Sequence, residues 1–180
     1  MSAYLALAVS VGLLAFVDTW LYVGPLETTA LAGLVWISFI AWGCHFHSGG
    51  GTKGSLTTVA CMTFGALVGM VAVMLASGVF ADTGVLAAPI AVGLGAAVIC
   101  LASRVSLLGT IPASVYGFAS IAGPILLKGL TPAEAFIPVV LSIIIGAAFG
   151  YVSEALANAL TRKAAPVDAE AAALGETSAV

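Results

Sequence analysis

The residues of this chain that could do chemistry gather in one short segment, Cys44 to Gly54, which contains a thiol and both histidines, His45 and His47. The segment interrupts a sequence that is otherwise almost continuously apolar. Its three consecutive glycines disfavour regular helix. An irregular backbone at membrane depth needs partners from protein or water, so the segment predicts either a surface loop or part of a solute path.

The same segment raises the question of a metal site, because thiols and imidazoles are preferred ligands of zinc. Cys44, His45 and His47 lie within four consecutive residues, and the chain has no other histidine. Cys61 and Cys100 fall in apolar runs, at spacings that match no zinc or iron–sulfur pattern. We therefore expect no metal ion and no cofactor.

Two carboxylates lie inside apolar segments beyond their first turn, where an ionisable group is costly and is a candidate for function. Asp18 lies near the end of the first segment, and Glu154 lies near the end of the last. Hydroxyl groups are more numerous in these segments than charges, and such a lining suits a small, mostly uncharged polar solute. No Ser/His/Asp arrangement or carboxylate pair is evident in the sequence, so we expect no enzyme.

The composition is that of an integral membrane protein. Of the 180 residues, 62% are hydrophobic and 7% are charged, and the mean hydropathy is +1.20. A soluble domain of this composition would expose a very large apolar surface to water. The net charge of −3 lies largely in the last residues, and nothing favours nucleic acid as a partner. The expected partners are the lipid bilayer and a small-molecule solute.

Six apolar runs are long enough to cross a bilayer, which takes about 20 residues. Charges, glycines and prolines delimit them as Tyr4–Val23, Thr28–Phe46, Gly54–Ala76, Val85–Ser103, Val105–Leu127 and Pro132–Asn158. The expected fold is all-α, a polytopic membrane domain of six transmembrane helices over residues 1–160, followed by a disordered cytoplasmic tail over 161–180. Lys and Arg residues near the span ends are richer on the side of the termini, which predicts that both termini are cytoplasmic.

The two halves of this domain, residues 4–76 and 85–157, resemble each other at an offset of 81 residues, which sets Val11–Ala15 on Val92–Ala96. Each half has three predicted spans, so the second half would enter the membrane from the opposite face. Two inverted three-helix repeats of this kind are typical of channels and transporters. Chance coincidence among Ala, Val, Leu and Gly is the alternative.

The same offset pairs Gly65 with Gly146 and Gly69 with Gly150. Each half thus carries two glycines four residues apart in its third span, a spacing that lets helix backbones approach closely in lipid. We expect these four glycines to be helix-packing residues. Small residues on several other spans also predict that the protein forms a homo-oligomer.

The middle span of each half is expected to contain irregular backbone. The first runs into the glycine segment, and the second contains Pro112 and Pro124, which should kink or split it. We expect the two middle spans to face each other across a path, with His45 making transport depend on pH. The candidate pathway-lining residues are Asp18, Trp42, His45, His47, Thr110, Pro112, Ser114, Tyr116 and Glu154.

The segments Gly43–Gly50 and Lys53–Gly54, with Ile111–Pro112, Gly117 and Ala122–Gly123, resemble a family of small bacterial inner-membrane proteins known as domain of unknown function 1097. The resemblance covers about residues 1–160 and implies a membrane protein without an assigned activity. The predicted function is a channel or transporter for a small polar solute of the size of urea, ammonia, an amide or a short acid. The alternative is a membrane assembly or regulatory subunit that transports nothing and binds partner helices.

Overall fold

The computed structural model describes residues 1–162, and this part of the chain is helical with no strand. Its helices are α1 (Ala3–Val23), α2 (Val35–His47), α3 (Gly51–Ser77), α4 (Ala87–Ala102), α5 (Ile111–Lys128) and α6 (Pro132–Arg162), with 3₁₀ turns at Ala81–Leu86 and Ser106–Leu108. The all-α prediction is confirmed. The predicted tail lies, from residue 163 onward, outside the described residues.

Five helices are long and apolar enough to cross a membrane, so the chain is a multi-pass membrane protein: α1, α3, α4 with its preceding 3₁₀ turn, α5 and α6. The exception is α2, whose 13 residues extend only about 20 Å. The predicted span Thr28–Phe46 is therefore wrong over its first third. There the Thr29 hydroxyl bonds the backbone at Leu26 and Leu31, and Gly33 has a positive φ. Both features favour turns over helix.

The irregular backbone is also shorter than the sequence predicts. Helix α3 begins at Gly51, so that Lys53 lies in its first turn. In the second half, α5 runs as one helix from Ile111 to Lys128 with Pro124 inside it. The predicted split into half-helices is therefore wrong, whereas the predicted kink at Pro124 stays a prediction. Pro112 lies in the first turn of α5. A backbone N–H in the first turn has no acceptor within the helix, so a proline there costs no helical hydrogen bond.

The helices form two groups of three that meet at the centre. Helix α6 packs against α1 and α2, and α3 packs against α4 and α5. The two groups are joined by contact between α3 and α6, whereas α2 and α5 touch only slightly. Buried apolar side chains fill the bundle, among them Ile37, Met62, Ile121, Val139 and Ile143.

Glycines allow the closest approaches between helices. A methyl group on Gly65 of α3 would overlap the backbone carbonyl of Ser114 on α5, and one on Gly146 of α6 would overlap the backbone carbonyl of Ser38 on α2. Gly150 lies in the same way against the ring of His45. The long helices α3 and α6 therefore hold the middle helices by direct backbone contact.

We expect Gly65→Ala and Gly146→Ala each to destabilise the protein by about 1–3 kcal/mol, because the added methyl group forces two backbones apart. The measurement is thermal unfolding of the purified protein in detergent. Gly12→Ala and Gly93→Ala are matched controls, since a methyl group at either position meets no atom within 4 Å. Equal losses in all four variants would contradict the close-packing role.

Candidate functional site

His45 lies in the last turn of α2 and is completely buried. Its Nδ1 atom is 3.0 Å from the hydroxyl oxygen of Ser55, and its Nε2 atom is 3.1 Å from Oε2 of Glu154. Because an ionised carboxylate only accepts hydrogen bonds, Nε2–H donates to Glu154. In the neutral ring Nδ1 then accepts from Ser55, so both ring nitrogens have a partner.

Glu154 joins this histidine to the glycine turn between α2 and α3. Its Oε2 atom also accepts a hydrogen bond of 2.7 Å from the backbone N–H of Gly51, at the N-terminal end of α3. That end carries partial positive charge and has no side-chain cap of its own. Gly50 has a φ of +69°, and a Cβ there would come within 2.8 Å of the same carboxylate oxygen. The glycines thus let the carboxylate reach the helix end.

The Glu154 side chain is 35% exposed and opens into a surface pocket. This pocket lies at the ends of α1, α2 and α6 and is lined by Ala3, Leu7, Phe46, Gly49, Gly50, Glu154, Ala157, Asn158 and Thr161. Most of the lining is small or apolar. Glu154 is therefore the charged group through which the buried His45 faces the outside of the bundle.

A second group of polar side chains is buried next to this pair, between α1, α2 and α6. The indole N–H of Trp42 donates to the hydroxyl of Ser153 over 3.0 Å, and that hydroxyl donates to the carbonyl of Gly150 over 2.8 Å. The hydroxyl of Ser10 on α1 donates to the backbone carbonyl of Ser153 over 2.6 Å. These bonds join all three helices.

A third polar group lies further along the same interface. Asp18 and Tyr22 of α1, Ser38 of α2 and Ser142 of α6 are all buried. Ser38 lies close enough to Asp18 to interact with its carboxylate, and Ser142 lies close to the Tyr22 hydroxyl. These approaches do not have the geometry of well-formed hydrogen bonds, and no side-chain oxygen of the four residues makes one in the described part of the chain. Buried oxygens without well-formed bonds are costly and call for an explanation.

The predicted pathway-lining residues thus fall in two places. Asp18, Trp42, His45 and Glu154 lie in the α1–α2–α6 interface with Tyr22, Ser38, Ser142 and Ser153, and Ser55 of α3 contacts His45 there. His47 ends α2 and lies against Tyr116 of α5. The remaining predicted residues, Thr110, Pro112 and Ser114, lie at or near the start of α5.

On the α5 side, His47 is exposed, and its ring lies edge-on to Tyr116 with 5.9 Å between ring centroids. Ser114 is buried with its carbonyl against Gly65. Thr110 and Pro112 begin α5 and are partly or fully exposed. Within residues 1–162, no three His, Cys, Asp or Glu side chains are placed to hold a metal ion.

The candidate pathway-lining residues leave out six residues found here. Ser10, Ser38 and Ser142 count only among the many hydroxyls of the apolar segments, and the sequence reasoning missed Tyr22, Ser55 and Ser153 entirely. The positions of Tyr22 and Ser153 in the sequence could have identified them, since Tyr22 follows Asp18 by one helical turn and Ser153 precedes Glu154. The position of Ser55 gives no such indication, because its role depends on the turn that folds α3 back against α2.

A family model described as protein of unknown function (DUF1097) matches residues 8–158. This range contains every polar residue of the α1–α2–α6 interface named above. No curated protein and no solved structure matches the chain.

We expect Glu154→Ala to destabilise the protein by about 1–3 kcal/mol, because it leaves the Nε2 atom of His45 and the N–H of Gly51 without their acceptor. Thermal unfolding in detergent measures the loss. Glu154→Gln keeps a carbonyl oxygen for Gly51 and should lose less. An unchanged unfolding midpoint in the alanine variant would show that the carboxylate does not hold the turn.

Proposed function

Because the chain belongs to the DUF1097 family of proteins of unknown function, we propose its function from the site: it is a channel or transporter for a small polar solute. The observation that carries this proposal is the series of buried polar side chains between α1, α2 and α6. It extends from the partly exposed Glu154 to the buried Asp18. We call this series the polar track. Its members are Ser10, Asp18, Tyr22, Ser38, Trp42, His45, Ser142, Ser153 and Glu154.

Helix periodicity gives the polar track its direction along the bundle. Ser38, Trp42 and His45 follow one another at i, i+4 and i+7 on α2, so they lie on one face of that helix. Seven residues of helix rise about 10 Å. This distance is comparable to the length of a few small solute molecules in single file. In lipid, buried polar atoms have to be satisfied within the protein, and a purely structural bundle would have less reason to contain so many.

The charges of the polar track favour some solutes over others. It contains two carboxylates, Asp18 and Glu154, and none of the side chains that form it is Lys or Arg. A lining of carboxylates, hydroxyls and aromatic rings suits a neutral or cationic solute and repels an acid anion. Among the predicted solutes we therefore favour ammonia, urea or a small amide.

Helix α1 is the element best placed to open the polar track. It packs chiefly against α6 and touches α2 only slightly, and much of its surface is exposed. A small movement of α1 away from α6 would uncover Ser10 and Asp18 while leaving the α2–α6 contact at Gly146 intact. We propose that such a movement admits the solute.

We also propose that the two halves form the inverted repeat that their sequences suggest, with both termini on the cytoplasmic side of a bacterial inner membrane. Matched contacts support it: Gly65 meets the carbonyl of Ser114, and Gly146 meets the carbonyl of Ser38. Likewise α1 packs on α6, and α4 packs on α3. Helix α5 has 18 residues and α2 has 13. The offset that aligns these two middle helices therefore differs from the 81-residue offset that aligns α3 with α6.

The two groups of three helices differ in their buried ionisable side chains. Gly150 of α6 lies against His45 of α2, whereas its counterpart Gly69 of α3 lies against Ile121 of α5. Among the described residues the α3–α4–α5 group buries the hydroxyls of Thr58, Ser114 and Ser120 but no Asp, Glu or His, which supports a transport role for the ionisable ones.

An enzymatic role has a specific argument against it. Ser55, His45 and Glu154 include the atoms of a nucleophile–base–acid set. However, Ser55 is not among the residues that line the pocket at Glu154, so its hydroxyl has no substrate site there. We propose that the three residues position one another and that the protein is not an enzyme.

The polar track can be tested with a pair of matched substitutions. Ser153 and Ala72 are buried, and they correspond at the offset of the two halves. We expect Ser153→Val to slow solute entry into proteoliposomes about tenfold, equivalent to about 1.4 kcal/mol in the barrier. Ala72→Val adds a similar side chain outside the track and should leave entry unchanged.

Swelling assays with urea, ammonia and acetamide provide the measurement. If none of these solutes enters faster than into protein-free vesicles, the transport proposal fails. The assembly or regulatory subunit would then be the better account.

A second test uses the two histidines. A glutamine amide does not keep both hydrogen bonds of the His45 ring, to Ser55 and to Glu154, so we expect His45→Gln to slow solute entry into proteoliposomes. His47→Gln is the matched control, because His47 is exposed and lies outside the polar track. An entry rate that His45→Gln leaves unchanged would remove the imidazole from the mechanism.

A further inference from the structure

We infer that Asp18, Tyr22, Ser38 and Ser142 form a binding site for a small monovalent cation of the sodium type. The site stands on its own geometry, and its role as a coupling site rests on the proposed transport function. Its central group is Asp18, which is 0% exposed. Neither oxygen of its carboxylate makes a well-formed hydrogen bond within residues 1–162, and the hydroxyl nearest to it is that of Ser38.

The neighbouring groups supply the ligand chemistry of a hard cation. With the carboxylate, the hydroxyls of Tyr22, Ser38 and Ser142 bring together five oxygen atoms that make no well-formed hydrogen bond in the described residues. Ser38 adjoins Asp18, and Tyr22 adjoins both Ser142 and Ser38. Oxygen ligands suit hard cations, whereas sulfur and imidazole suit softer metals. Three helices contribute, so the oxygens can surround an ion.

The charge of the site selects a monovalent ion. An ionised carboxylate without a partner is very costly inside a bilayer. Among the four side chains, Asp18 is the one acid, and none is a Lys, Arg or His that could pair with it. One monovalent cation makes the group neutral, whereas a divalent ion would leave an excess positive charge in the same low-dielectric surroundings.

The α3–α4–α5 group indicates that packing does not require a carboxylate at this position. At the offset of the two proposed repeats, Asp18 of α1 corresponds to Ile99 of α4, and Ser142 of α6 corresponds to Cys61 of α3, both buried. The position on α4 that corresponds to Asp18 is therefore apolar. A ligand explains the carboxylate better than the fold does.

A cation at this site would join α1 to α2 and α6, because Asp18, Ser38 and Ser142 lie on these three helices. Ion binding would then favour the arrangement in which α1 rests against α6. Release of the ion would favour the movement of α1 that opens the polar track, which links the ion to the solute.

The test is sodium binding by the purified full chain in detergent. Its three tryptophans report thermal unfolding by fluorescence, and NaCl is varied against choline chloride at constant ionic strength. We expect a saturable rise of the unfolding midpoint by a few degrees, since a ligand that binds the folded state stabilises it. Asp18→Asn should abolish the rise. Asp82→Asn, the same change at an exposed carboxylate, should retain it.

Tyr22→Phe and Ser142→Ala each remove one oxygen with little change in shape, and they should shift the sodium dependence to about fivefold or more higher concentration. They keep the test decisive if Asp18→Asn does not fold. The assay is run at two pH values. An unfolding midpoint that does not change with sodium, or that changes only with pH, would overturn the site and leave Asp18 as a protonated carboxyl. Because the assay measures no flux, its outcome is independent of whether proteoliposomes transport a solute.

Discussion

Backbone contact at Gly146 and Gly150 is the interaction on which the polar interface depends. Two helices in lipid gain little from the hydrophobic effect, so their association rests on close packing and on hydrogen bonds between helices. At these two glycines α6 meets the carbonyl of Ser38 and the ring of His45 on α2. This approach also brings Glu154 within reach of His45. Larger side chains at the two glycines would move α6 away from α2 and separate Glu154 from His45, its hydrogen-bond partner.

The equivalent contact in the α3–α4–α5 group shows what this arrangement costs. Gly69 meets Ile121 where Gly150 meets His45, so an apolar side chain can occupy such a place. A buried polar group left without a partner costs about 1–3 kcal/mol. The histidine avoids this cost with two partners, Ser55 and Glu154. Because the equivalent contact packs with an isoleucine, the imidazole at this place is better explained by function than by stability.

Apolar length and charge predict the parts of this molecule that depend on composition alone. They predict the bounds of α1 and α6 to within a few residues, and they identify Asp18 and Glu154 as unusual. They do not reveal that α2 begins at Val35, because the turns before it depend on one threonine hydroxyl and the positive φ of Gly33. Nor do they pair Glu154 with His45, which lies 109 residues away in the chain. That contact follows from the packing of α2 on α6.

The two carboxylates of the interface are held in opposite ways, and this difference assigns them different roles. Glu154 accepts from a backbone N–H at a helix end and from His45, so the protein itself supplies its partners. Asp18 lies among hydroxyls, and its oxygens have no such donor within residues 1–162. A fixed carboxylate can serve as an anchor for the turn between α2 and α3. A carboxylate without fixed partners needs an exchangeable one, so a mobile positive charge belongs at Asp18 rather than at Glu154.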